Sequence, residues 1–249
     1  MILRGAALAA GAALAAGAFL LGGCELIKAA EEPTDLYTIT PKSTFEPDMQ
    51  SVFWQLAVEE PNASAFLNTS RIAIAQSQTS SDYYSKTGWT DRAPLMVQTR
   101  IVDSFENSHK IVAVARESIG LRANYVLQSD LRNFEAMYFY GQKQPIAHVR
   151  LVAKLVRMPD RQIIGVATFE RCVKARADKV PKVVEAFDQA LGSVMKRLVA
   201  WTLKAAPSRP PSEEAPYDIN KFRNPDNAYL DSEGCPRGND ASMVPLSDE

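Results

Sequence analysis

Histidine is almost absent from this chain, with His109 and His148 the only two in 249 residues. The scarcity matters because imidazole is the side chain that most readily moves protons near neutral pH. Also lacking are a Gly-x-Ser-x-Gly elbow, a Cys-x-x-Cys pair, a His-Glu-x-x-His helix and a glycine loop able to cradle phosphate. A Ser–His–Asp set could be drawn from distant positions in any chain of this size, so its bare availability has no weight. His148 falls on the polar side of an alternating stretch and His109 follows Phe105-Glu106-Asn107-Ser108, so both read as ordinary surface residues. No catalytic residue, metal ligand set or cofactor is expected, and the chain does not read as an enzyme. Charge of one sign is missing too. The 28 Lys and Arg are interspersed with 29 Asp and Glu for a formal net charge of −1, with no basic tract to make nucleic acid a partner.

Charge is locally absent in one place. After Met1-Ile2-Leu3-Arg4 the chain runs from Gly5 to Leu21 with none, mostly as Ala and Gly. A stable membrane helix needs roughly 20 apolar residues, and Ala/Gly-rich sequence partitions weakly for its length. The stretch reads as the apolar core of a signal peptide, residues 1–23. Leu21-Gly22-Gly23-Cys24 then resembles the bacterial lipobox, in which a thiol is alkylated by diacylglycerol and the Gly23–Cys24 bond is cut. Two or more acyl chains, at about 0.8 kcal/mol per buried methylene, hold such a protein firmly to a bilayer. An uncleaved N-terminal helix with a chance cysteine is the alternative. Because Glu25 rather than Asp follows the cysteine, the outer membrane is the expected destination, with inner-membrane retention the other outcome.

Residues 24–34 read as the lipidated cysteine and a polar tether, and residues 35–205 as a single domain. Residues 206–249 hold Pro207, Pro210, Pro211, Pro216, Pro225, Pro236 and Pro245 among Ser, Asp, Glu and Asn. With so little apolar surface to offset the entropy of ordering, this tail is expected to be disordered. Besides Cys24 there are Cys172 and Cys235, which can form a disulfide in an oxidising compartment or stay apart.

Within the domain Ala147, Val149, Leu151, Ala153 and Leu155 alternate with His148, Arg150 and Lys154, the pattern of a half-buried strand. Val52–Val58, Arg71–Gln76, Ile111–Glu117 and Ile163–Cys172 read as strands as well. Along Tyr125–Tyr140 the apolar phase passes from Leu127, Ser129 and Leu131 to Phe134, Ala136 and Tyr138, so a β-bulge is expected near Arg132-Asn133. Asp91–Phe105 has a candidate N-cap in Asp91, Pro94 in the first turn and mostly helical spacing. From Val180 to Leu203 apolar residues recur as on one face of a helix that packs on a core. The grouping of strands and helices indicates an α+β fold with a mainly antiparallel sheet and two packed helices. Tyr83, Tyr84 and Trp89 form an aromatic patch before the first helix, either a partner surface or packing beneath that helix.

Several segments in order carry a resemblance: Leu36-Tyr37-Thr38-Ile39-Thr40-Pro41, Trp54–Pro61, Arg71-Ile72-Ala73, Tyr83-Tyr84, Trp89–Pro94, Val97-Gln98, Leu131–Phe134, Ala147–Leu155 and Phe187–Leu191. Together they resemble the ABC-type transport auxiliary lipoprotein family, the PqiC-like components of Mce-type lipid-transport systems. The resemblance implies a partner role beside an Mce-domain protein with its ABC permease and ATPase. The auxiliary lipoprotein would dock the apolar conduit at the outer membrane, without catalysis and held there by its lipid. It implies contact with a membrane and with phospholipid, and a homo-oligomeric ring would suit a conduit. A periplasmic lipid carrier and an outer-membrane assembly lipoprotein are the competing functions.

Overall fold

A computed structural model describes residues 35–120, 122–138 and 143–209. The signal peptide, Cys24, the tether, Cys235 and the tail beyond Arg209 lie outside the described residues. The strands are β1 (Asp35–Tyr37), β2 (Val52–Val58), β3 (Asn62–Ala63), β4 (Arg71–Ala75), β5 (Ser81–Trp89), β6 (Ile111–Arg116), β7 (Tyr125–Met137), β8 (Ile146–Arg157) and β9 (Gln162–Lys174). The helices are α1 (Ala93–Ser108) and α2 (Val180–Ala205). The fold is α+β, and its nine strands form one mixed sheet.

The sheet is organised around β7. One edge of β7 pairs antiparallel with β8 along its whole length, and β8 pairs antiparallel with β9. Its other edge is shared by three shorter strands in parallel: β2 at Tyr125–Leu127, β3 at Asp130 and Leu131, and β4 at Glu135–Met137. β6 adds parallel to β2, while β5 pairs antiparallel with β4 and carries β1 parallel at the edge. The long ladders are thus antiparallel and the short ones mostly parallel. The expected bulge is present, because the β7–β8 register shifts between Leu131 and Asn133. It leaves Leu131 and Phe134 both facing the helices, which accounts for the change of phase in the sequence.

Both helices cover one face of the sheet. α2 buries Val183, Phe187, Leu191, Val194, Leu198 and Leu203, and meets the inward side chains of β8 and β9. Each such fully buried large apolar side chain contributes about 1.5–3 kcal/mol. Trp89, Phe134 and Phe187 meet ring to ring, with centroids 5.0 to 5.4 Å apart, and join β5, β7 and α2 in one core. α1 begins with Pro94 in its first turn as expected, but Asp91 is not its cap: Arg92 holds that place, and Asp91 accepts a hydrogen bond from the Arg92 amide. The helix ends on His109 in the left-handed region, its amide donating back to the Glu106 carbonyl. Among the described residues no helix is long and apolar enough to cross a membrane.

Candidate functional site

The face of the sheet away from the helices carries the polar side chains of β7, β8 and β9. Strand alternation places Asn133, Glu135 and Met137, then His148 and Arg150, then Glu170 and Cys172 on this outer face. Register brings them together, since His148 lies directly between Glu135 on β7 and Cys172 on β9, with Arg150 opposite Glu170. The β3–β4 loop and the β4–β5 turn rise beside them. The result is a pocket of about 370 Å³ with Phe66, Leu67, Ala75 and Met137 on its apolar side and Arg132, Asn133, Glu135, His148 and Glu170 on its polar side.

At its floor the His148 Nε2 lies 2.6 Å from Glu170 Oε1, and Nδ1 lies 3.7 Å from Glu135 Oε1. The second separation is that of an ion pair rather than a hydrogen bond, and Glu135 accepts instead from the Asn133 amide at 2.7 Å. All three side chains are nearly buried, at 12 to 14% exposure, so their mutual field is poorly screened by solvent. Burial pulls the His148 imidazole toward its neutral form, but the two carboxylates outweigh it and the net effect holds its pKa above the ordinary value. Glu170 is held below the ordinary carboxylate range, first by its hydrogen bond with His148, against the opposing effect of burial, and then by the charges of His148, Arg150 and Arg197. The site is therefore a charged His–carboxylate cluster under a partly apolar wall. Among the described residues no group of three or more His, Cys, Asp or Glu is placed to hold a metal ion.

The structure corrects one sequence expectation and decides between the two readings of another. His148 is not an ordinary surface residue: its carboxylate partners come from two neighbouring strands, which no local pattern reveals. Trp89 does not belong to a surface patch. It is 1% exposed and packs against Phe134 and Phe187 in the core. Tyr83 and Tyr84 are half-buried neighbours on β5. The Tyr83 hydroxyl donates to the Phe66 carbonyl at 3.0 Å, and the Arg71 guanidinium lies 3.8 Å above its ring. The Tyr84 and Tyr138 hydroxyls are 2.7 Å apart, and Tyr138 donates in turn to Asp178 at 2.6 Å. Burial, the largest influence on Tyr84, raises its pKa to about 12. Cys172 is 6% exposed in a small outer-face cluster with Ala75, Met137 and Ile146, and it is disulfide-bonded. The other half of that bond, like the lipobox Gly23 and Cys24, lies outside the described residues.

This architecture is that of an α+β domain, a mixed sheet backed by two helices with a charged cluster on its open face. The model of the ABC-type transport auxiliary lipoprotein component matches residues 36–199, and the chain belongs to that family. A crystal structure of a Xanthomonas campestris protein of the DUF330 family is 34% identical, with a TM-score of 0.66 over 69% of this chain and 96% of that one. A second solved structure, of an uncharacterised protein, is 14% identical with a TM-score of 0.52 over 68% of this chain and 97% of that one, a likeness of fold alone. A Bradyrhizobium diazoefficiens protein is 28% identical over 68% of this chain, which spans only 45% of that relative's length. The family to which the chain belongs is one of lipoproteins, and its description associates them with ABC-type transport.

Proposed function

We propose that the protein is the lipid-anchored auxiliary component of an Mce-type intermembrane lipid transporter, docking the conduit at the periplasmic face of the outer membrane. The family match over residues 36–199, behind a lipobox at Leu21–Cys24, carries this reading. The chain is cut before Cys24, its thiol is acylated, and the domain is held within reach of the membrane surface. Tethering both partners at the same membrane system raises their effective concentration, so a modest interface suffices. The partner is an Mce-domain protein with its permease and ATPase, and the role is one of binding rather than catalysis. Tyr83 and Tyr84 on β5 are the side chains assigned to that contact.

The lipid-carrier alternative needs an apolar cavity for an acyl chain. The described core is filled instead, with Trp54, Phe105, Phe134, Phe187 and Leu151 each at most 1% exposed. The outer-face pocket sets charged side chains along one side, where an acyl chain would strip them of solvent at a cost of several kcal/mol. The test is an affinity pull-down of the full-length lipidated protein from mild-detergent membranes, with Cys24→Ala as control. Recovery of an Mce-domain protein with its ATPase by the wild type, and its loss in Cys24→Ala, is the expected result. Bound phospholipid without those partners would overturn the docking role.

A further inference from the structure

One end of the sheet is basic. Ser81 on β5, Ala75 on β4, Met137 on β7, Ile146 on β8 and Lys174 on β9 are successive register partners and form one line across the sheet. Lys174 stands on that line, and the exposed Lys143, Arg176 and Lys179 stand just beyond it. We propose that this end is a docking surface for the anionic headgroups of a phospholipid bilayer, and that it faces the membrane holding the acylated Cys24. In that second respect the inference rests on the lipid-anchor reading above.

The ladders bring these cations together. The Ala175 amide donates to the Pro145 carbonyl, which sets Lys143 beside residues 176–179. Among the described residues none of the four side chains reaches a carboxylate within ion-pair distance, whereas the nearby Lys182 is closed on Glu185. Asp82 and Asp178 share this end, but both are engaged: Asp82 accepts from the Tyr83 amide, and Asp178 accepts from the Tyr138 hydroxyl at 2.6 Å. Lys179 is also the N-cap of α2, whose first turn holds no acidic residue. The helix dipole disfavours positive charge there, and an anion held beside it offsets that cost. An anionic bilayer presents many phosphates in one plane, and each Lys or Arg close to it contributes about fivefold in affinity.

The start of the described chain has the matching geometry. β1 runs parallel to β5 with Asp35 aligned to Thr87, so Asp35 is the end of β1 nearer the basic line. Gly88 is level with Arg71 and Ser81 with Ala75, so the line lies four β4 residues away, or about 13 Å. Cys24 precedes Asp35 by 11 residues, a stretch that spans at most about 36–40 Å. An acylated Cys24 and the four cations can therefore meet one bilayer surface together, and the anchor raises the effective concentration of the headgroups.

The test uses the whole mature chain, residues 24–249, with Cys24→Ser so that no acyl chain assists. It is sedimented with vesicles of phosphatidylcholine alone or mixed with phosphatidylglycerol, at low and at high ionic strength. Binding at least about tenfold tighter to the anionic vesicles is expected at low salt, and its loss at high salt. Lys174→Gln, Arg176→Gln and Lys179→Gln together should weaken it at least about tenfold. Arg122→Gln with Arg161→Gln, exposed cations at the opposite end of β7, β8 and β9, should leave it nearly unchanged. Melting temperatures show that both variants are folded. Equal sedimentation with the two kinds of vesicle, or equal loss in the two variants, would overturn the surface. So would a triple variant that still sediments with anionic vesicles but no longer recovers the Mce-domain protein in the pull-down, which would make this end a protein contact. Mass spectrometry of the unsubstituted chain reads the anchor separately. Lipidated Cys24 without a preference for anionic vesicles overturns the surface alone, and an unlipidated Cys24 beside that preference overturns the anchor alone.

Discussion

Replacing His148 with Gln removes the cation from between Glu135 and Glu170 while keeping a side chain of similar reach. The lost contact is a charge-assisted hydrogen bond of 2.6 Å between groups that are each 12% exposed. Such bonds contribute about 1.5–3 kcal/mol, and removing one partner leaves a nearly buried carboxylate without its counter-charge. A destabilisation of about 2–3 kcal/mol follows, or about 5–10 °C in melting temperature for a domain of this size. The pH dependence is the sharper signature. His148 binds its proton more tightly folded than unfolded, so its contribution is complete below the unfolded value of about 6.5 and fades as pH rises through the folded one. Glu170 is shifted the other way, so its contribution is complete above the unfolded value of about 4.5 and fades as pH falls through the folded one. The stability gap between wild type and His148→Gln should therefore be widest at about pH 5–6 and narrow on both sides. Urea unfolding of both proteins at closely spaced pH values measures it. A gap that stays constant from about pH 5 to pH 9 would show that His148 acts only through packing, and would refute the ion-pair account.

Phe187→Ala opens a cavity where α2 meets Trp89 and Phe134, and should cost about 3–5 kcal/mol in urea unfolding. Gly88→Ala would bring a Cβ to 2.9 Å from the Ser70 carbonyl oxygen, against backbone that cannot swing aside. A loss of about 1–3 kcal/mol is expected in thermal melts, and an unchanged melting temperature would mean that the β4–β5 edge is pliant. Tyr84→Phe breaks the Tyr84–Tyr138 link while leaving the hydrogen bond from Tyr138 to Asp178. A loss of about 1 kcal/mol is expected, and the near-ultraviolet absorbance titration should lose a tyrosine that ionises near pH 12.

The long elements were legible in the sequence because their pattern is local. The heptad-like recurrence from Val183 to Leu203 determined α2, and strict alternation through Ala147–Leu155 determined β8 and its buried face. Even the bulge in β7 was readable, since a two-residue period that slips by one must do so where the chain carries an extra residue. The short strands β1 and β3 were not legible: two or three residues have no period, and only the edges of β5 and β7 make them strands. β5 hid behind its aromatic content, which fits a surface and a core equally well until Phe134 and Phe187 are seen closing over Trp89. The sequence likewise marked Glu135, His148 and Glu170 only as polar positions on three separate strands. Which of them meet depends on strand order and register, set by the burial of the whole opposite face, and that is why the charged cluster and its neighbouring cysteine were decided by the tertiary structure alone.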